Sequence, residues 1–257
     1  DSVRNQSLKS IEIILVENLS IDNSADICDE YAKLDERVKV LHLQEAGLSI
    51  ARNAGLKIAS APYVGFIDSD DFIEPTMYQE MVDALVNNEA DFVYCNYVLD
   101  YEGKESVYPF RDSGSIEIYP LRDFLRDMMW EKISCSFCTK LFRKDFFDTH
   151  EFPVGRLYED RLVMHEWVLA CNRIVWLDKP FYHYVERFDS ICHTIVPINR
   201  YHFFLSQFER LEFINQHSLF EGKELYDVRT MIIRICLSIF KEIMLRVKPS
   251  DFREPFE

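Results

Sequence analysis

The stretch "YVGFIDSDDFIEP", Tyr63 to Pro75, decides the fold class. Tyr63 to Ile67 is apolar apart from Gly65 and reads as a short buried strand. It runs straight into Asp68, Ser69, Asp70 and Asp71. In an open α/β sheet, ligands bind beyond the carboxyl ends of the strands, and this acidic cluster sits at such an end. If the chain stays extended, Asp68 and Asp70 point to one side and Asp71 to the other. Two carboxylates facing one way repel unless a cation lies near them, and Mg2+ or Mn2+ suits oxygen ligands and bridges to phosphates. The bland alternative is a solvated loop in which Ser69 or Asp71 caps a turn. Spacing alone leaves both open.

Working outward, strands are expected at 11–16, 38–43, 63–67 and 91–98. Helices are expected between them, at 23–34, 48–59 and 75–88. The first of these would bury Ala25, Ile27, Cys28, Tyr31 and Ala32. Strands and helices alternating at this spacing predict an α/β protein with a mostly parallel, Rossmann-like sheet and helices on both faces. The second half is less regular. Segments near 115–119, 137–142, 173–177 and 181–186 suit strands, and 120–131 and 158–171 suit helices. From about 200 the pattern is helical.

Composition narrows the function. The 257 residues carry a net charge of −15, which repels phosphate backbones and argues against nucleic-acid binding. Seven cysteines are scattered, and Cys135-x-x-Cys138 has no second pair to complete a zinc site. Reduced core cysteines fit a cytoplasmic protein. Neither G-x-G-x-x-G after a strand nor G-x-x-x-x-G-K-[ST] occurs, so dinucleotide and P-loop enzymes lack their phosphate cradles.

Four blocks occur in order: "IEIILVENLSIDNS", "GLSIARNAG", "YVGFIDSDDFIEP" and "LYEDRLVMHEWVLACNRIVWLDKPFYHYVERFDSICHT". Together, over about residues 1–194, they resemble the family 2 glycosyltransferases of GT-A fold, particularly bacterial enzymes of surface-polysaccharide synthesis. The resemblance implies sugar transfer, with inversion, from a nucleotide-sugar donor, most simply a UDP-sugar, to a glycan or lipid-linked acceptor. It implies a Mn2+ or Mg2+ cofactor. Asp68 and Asp70 match the family's DxD element, with Asp70 as metal ligand and Asp68 at the donor ribose or sugar. Arg52 matches a contact to the nucleotide base. Asp160 matches the catalytic base, with Glu159 beside it as competitor; the helix dipole and Arg161 would keep Asp160 ionised. Arg187 and Ser190 match an "RxxS" element near the diphosphate, and His193 is placed for a further metal or phosphate contact.

The chain departs from the family pattern in three places. Glu17 and Asn18 stand where the family has two aspartates, leaving Glu17 to meet a base imide. Val185 stands where an arginine is common. The opening "DSVRNQSLKS" resembles the end of the family's first helix, so the family's first strand is expected to be missing, between 11–16 and 63–67. The expected division is 1–102 for the nucleotide-sugar half, 103–196 for the acceptor half and 197–257 for a helical C-terminal region. The rival functions are a non-catalytic sugar-nucleotide or glycan-binding module and a scaffolding subunit. Within 225–247, Leu225, Val228, Ile232, Ile235, Ile239 and Ile243 form one apolar stripe, widened by Met231, Leu237, Phe240 and Met244, with five basic and two acidic residues in and just beyond the helix. It is expected either to pack on the protein's own core or to dock on a partner, a second subunit or the inner face of the cell membrane.

Overall fold

The computed structural model describes residues 1–110, 112–186 and 197–246. Two short parallel strands, β1 (Ile13–Glu17) and β2 (Val38–His42), make a sheet of their own, joined by helix α1 (Ser24–Leu34). The expected apolar face of α1 buries none of its residues. Helix α2 (Leu48–Ile58) leads to β3 (Tyr63–Gly65), then β4 (Phe72–Ile73), α3 (Met77–Asn87) and β5 (Phe92–Tyr101). There follow β6 (Ile116–Tyr119), α4 (Leu121–Met129), β7 (Lys140–Arg143), α5 (Glu159–Leu169) and β8 (Ile174–Glu186). Two long helices, α6 (Pro197–His217) and α7 (Gly222–Arg246), finish the described chain.

The larger sheet runs β3-β7-β5-β8-β4, with β6 also on β8. It is mixed, which corrects the expectation of a mostly parallel sheet. Only β5 and β8 pair in parallel within it; β3–β7, β5–β7, β4–β8 and β6–β8 are antiparallel. Alternating apolar residues identify a strand but do not name its neighbour, and β7 inserts between β3 and β5 against chain order. β1 and β3 share no ladder. The two strands expected at 173–177 and 181–186 are one, whose register against β5 shifts around Asn96. Asn96 and Asp178 hydrogen-bond at 2.6 Å there, so the irregularity leaves both side chains paired.

Met77, Met81, Ala84 and Leu85 of α3 pack on Val93, Leu141 and Val175 of the sheet. Gly65 closes β3 where a Cβ would come within 2.6 Å of the Tyr78 hydroxyl, so no larger residue fits without movement. Two compact units interleave along the chain. One comprises 1–119, 136–155 and 171–186, with every strand among the described residues; the other comprises 120–135, 156–170 and 187–257, with α4 to α7. The expected division at 102 and 196 follows chain order instead. In the helical unit, Val228, Ile232 and Ile239 of the expected α7 docking stripe are buried, so that stripe serves its own unit.

Candidate active site

β3 ends at Gly65, so the acidic cluster is not an extension of a strand. Asp71 N–H donates to the Asp68 carbonyl at 3.1 Å and closes a four-residue turn over Asp68 to Asp71. Asp and Ser favour such turns because their side chains satisfy nearby backbone groups. This corrects the extended geometry expected for 68–71. Asp70 is exposed at the turn, and Asp68 keeps 46% of its side chain exposed.

Asp71 was expected to face the uninvolved side, and instead it anchors the turn. Its carboxylate accepts a hydrogen bond from the Tyr182 hydroxyl and one at 2.9 Å from Val185 N–H, both on β8. Burial, helped by the charges of Asp70 and Asp68, pushes the Asp71 carboxyl up to about 6 against the opposing effect of those bonds. Tyr182 also accepts the Asp68 N–H at 3.3 Å. One phenol therefore grips both ends of the turn. The next residue, His183, lies between Glu74 at 2.9 Å and Asp100 at 2.6 Å and stacks on Phe72. The end of β8 thus fastens residues 68–74 through side chains on both of its faces. Neither Tyr182 nor Asp71 stood out in the sequence in this role, because their partners lie 111 residues apart.

Arg52 is placed by α2 beside the turn, with its guanidinium 4.0 Å from Asp68. Only 10% of its side chain is exposed. It lies over the rings of Phe66, Phe137 and Phe152 at 5.3 to 5.9 Å. A cation enclosed by aromatic faces is held by their quadrupoles and by its carboxylate partner. The next residue, Asn53, also escaped notice: its amide donates to the Phe152 carbonyl at 2.8 Å and accepts from the Phe152 N–H at 2.9 Å. Both residues of "RN" therefore fix α2 to the same aromatic segment.

Glu17, at the end of β1, is buried, and its carboxylate accepts the Ser20 N–H at 2.6 Å. That bond lowers its pKa. Asn18 accepts the Gly47 N–H at 2.8 Å, tying the loop after β1 to the start of α2.

Asp160 stands in the first turn of α5 in the helical unit, partly exposed, with Oδ1 accepting the N–H of Arg161 at 2.7 Å. Its competitor Glu159 is buried, at 3% exposure. Tyr158 precedes the helix in left-handed geometry, φ 59°. The Arg161 side chain turns to Glu131 at 2.9 Å, and Glu131 also receives Arg210 at 2.8 Å. Arg187, Ser190 and His193 lie outside the described residues. Cys28, Cys95, Cys138 and Cys236 are free thiols. Among the described residues, no cluster of three or more His, Cys, Asp or Glu could hold a metal by itself.

A mixed α/β protein with an acidic turn beyond a sheet strand, and a helical C-terminal region, has the GT-A architecture. The chain belongs to glycosyl transferase family 2, whose pattern matches residues 1–150. It is 33% identical to EpsH of Bacillus subtilis over 196 residues, 74% of this chain and 57% of that protein. It is 30% identical to the glycosyltransferase GlyG of Streptococcus pneumoniae over 203 residues, 76% of this chain and 67% of that protein. The chain thus spans little more than half to two thirds of these relatives. Its fold is similar to that of S. aureus TarS in complex with UDP-GlcNAc, with a TM-score of 0.70 at 21% identity, covering 97% of this chain and 71% of that one.

Proposed function

We propose that the chain transfers a sugar from a UDP-sugar to a hydroxyl of a glycan or lipid-linked acceptor, with inversion, in cell-surface polysaccharide synthesis. Family membership supports the reaction class. The UDP-GlcNAc carried by the TarS neighbour supports the donor class. The observation that carries the proposal is the acidic turn itself. Its base is pinned by Tyr182, Asp68 is braced by Arg52, and the Asp70 carboxylate is left exposed.

That donor set fits Mg2+ or Mn2+ shared with a ligand. Such ions take one or two protein carboxylates and complete their shell with phosphate oxygens and water. Asp70 would hold the ion, which when bound neutralises the charge of the leaving diphosphate. Asp68 receives a ribose or sugar hydroxyl, Arg52 braces Asp68 on the base side, and Glu17 shapes the base-side loop. Arg187 adds charge-assisted hydrogen bonds to the diphosphate. Asp160 accepts the proton of the acceptor hydroxyl as its oxygen bonds to the anomeric carbon. The bond from that carbon to the diphosphate breaks, and UDP leaves with the electron pair.

A panel of UDP-sugars incubated with the 257-residue chain, Mn2+ and glycan or lipid-linked acceptors tests this by UDP release. Release from a UDP-sugar that increases with acceptor is expected. Donor binding without release across the panel would overturn the enzyme in favour of a binding module.

A further inference from the structure

We propose that the outward face of α7 lies on an anionic membrane surface. The buried stripe centred on Val228, Ile232 and Ile239 accounts for one side of the helix. The opposite side is also apolar. Tyr226, Ile233, Leu237, Phe240 and Met244 recur at helical spacing, and all are exposed, by 50 to 70%. A helix at the surface of a globular unit ordinarily turns charged residues outward there. Here the basic residues flank the apolar strip instead. On a helical projection Arg229 lies on one side of it, and Arg234 and Lys241 on the other, all exposed. Asp227 is the acidic residue nearest the strip, and Lys223 pairs with it at 2.5 Å. Beside the strip a groove of about 550 Å³ is lined by Trp130, Tyr226, Met231, Arg234 and Ile235, together with the Lys223-paired Asp227. Trp and Tyr favour the boundary between headgroups and hydrocarbon.

An apolar strip edged by Lys and Arg suits a surface that is apolar inside and anionic outside, as an acidic bilayer is. The polarity is local, because the chain as a whole carries −15. That net charge opposes any broad attraction to acidic lipid, so the contact must be made by this face. A second copy docked about a two-fold axis would set the same basic flanks against each other. Among the described residues, no helix is long and apolar enough to cross a membrane, so the helix lies in the interface plane. The inference is independent of the sugar-transfer chemistry.

Co-sedimentation of the 257-residue chain with vesicles tests it. One set is phosphatidylcholine alone, and the other contains a third phosphatidylglycerol. Binding to the anionic set is expected to be at least tenfold tighter and to weaken in high salt. The pair Leu237→Ser with Phe240→Ser should lose at least tenfold, and Arg234→Gln with Lys241→Gln about fivefold per charge removed. Far-ultraviolet circular dichroism confirms that each variant keeps its helices, and those that do not are replaced by Leu237→Gln and Phe240→Gln. Absence of binding to anionic vesicles, or binding indifferent to both pairs of changes, overturns the proposal. So does self-association of the unaltered chain that Leu237→Ser with Phe240→Ser abolishes, which gives the face to a second copy.

Discussion

At the scale of single residues, the site rests on one phenol. Tyr182 donates to Asp71 and accepts from the Asp68 backbone, closing the turn that presents Asp70. Tyr182→Phe removes the donor and leaves a half-buried carboxylate with the Val185 N–H. An unmet buried polar group costs about 1–3 kcal/mol. We expect that loss in urea unfolding at neutral pH. We also expect a higher Mn2+ concentration for half-maximal UDP release, because the turn is no longer held. An unchanged metal titration in a destabilised protein would show that Tyr182 supports the fold and not the site. The acidic residues themselves were legible in the sequence, since clustered carboxylates after an apolar run are conspicuous. Their geometry was not. The expected same-side arrangement of Asp68 and Asp70 assumed a strand to residue 67, and β3 stops at Gly65. Which carboxylate is half-buried was decided by β8, more than a hundred residues away in sequence.

Among the elements, α5 shows how a helix start is set. Glu131 receives both Arg161 and Arg210, and Arg210 also donates to the carbonyls of Met128 and Met129 at the end of α4. Replacing Glu131 by Gln removes the charge that Arg161 and the buried Arg210 share; because Glu131 is 40% exposed, the cost falls between about 1 kcal/mol for an exposed pair and about 3 kcal/mol for a buried one. Chemical unfolding should report that loss. A second prediction concerns His165, which faces the Arg161 carbonyl at 3.0 Å and packs edge-on against Phe213. Burial, with the nearby charges of Arg210 and His217, lowers its pKa to about 4. The native state therefore keeps it neutral while the unfolded chain takes up a proton below about 6.5. Stability is unaffected above that pH and falls as pH drops from about 6.5 towards 4, by on the order of 2–3 kcal/mol in full. His165→Gln should flatten this slope between pH 7 and 5 in urea titrations. These helices were visible in the sequence because apolar residues recurring every three or four positions need no knowledge of partners. The sheet order was not visible. β7, β4 and β6 are short or found their neighbours through tertiary packing, which alternation does not encode.

For the whole molecule, the candidate groups divide between the two compact units, with Asp68, Asp70 and Arg52 in one and Asp160 in the other. The sequence hid that division, because the chain passes back and forth between units without a change of composition at 120, 136, 156 or 171. A division of residues implies a division of labour that mutation can separate. Asp70→Ala removes the exposed carboxylate of the turn, and with it the proposed metal ligand, while Asp71 stays bonded to Tyr182 and Val185. We expect weakened donor affinity by calorimetry in Mn2+ and loss of UDP release, with the unaltered enzyme behaving likewise in excess chelator. Full activity in chelator would remove the metal from the mechanism. Asp160→Asn keeps the shape of the first turn of α5 but removes the proposed proton acceptor. Donor and Mn2+ affinity should then stay within about twofold, while transfer falls by about 10²–10⁴, the usual worth of general-base assistance. Glu159 serves as the internal control. It is adjacent in sequence, equally acidic and close in position to the helix dipole, but buried where Asp160 is partly exposed. Glu159→Gln is expected to retain transfer. If Asp160→Asn turns over near normally while Glu159→Gln does not, the base has been placed on the wrong carboxylate, and the exposure of Asp160 serves only to start the helix.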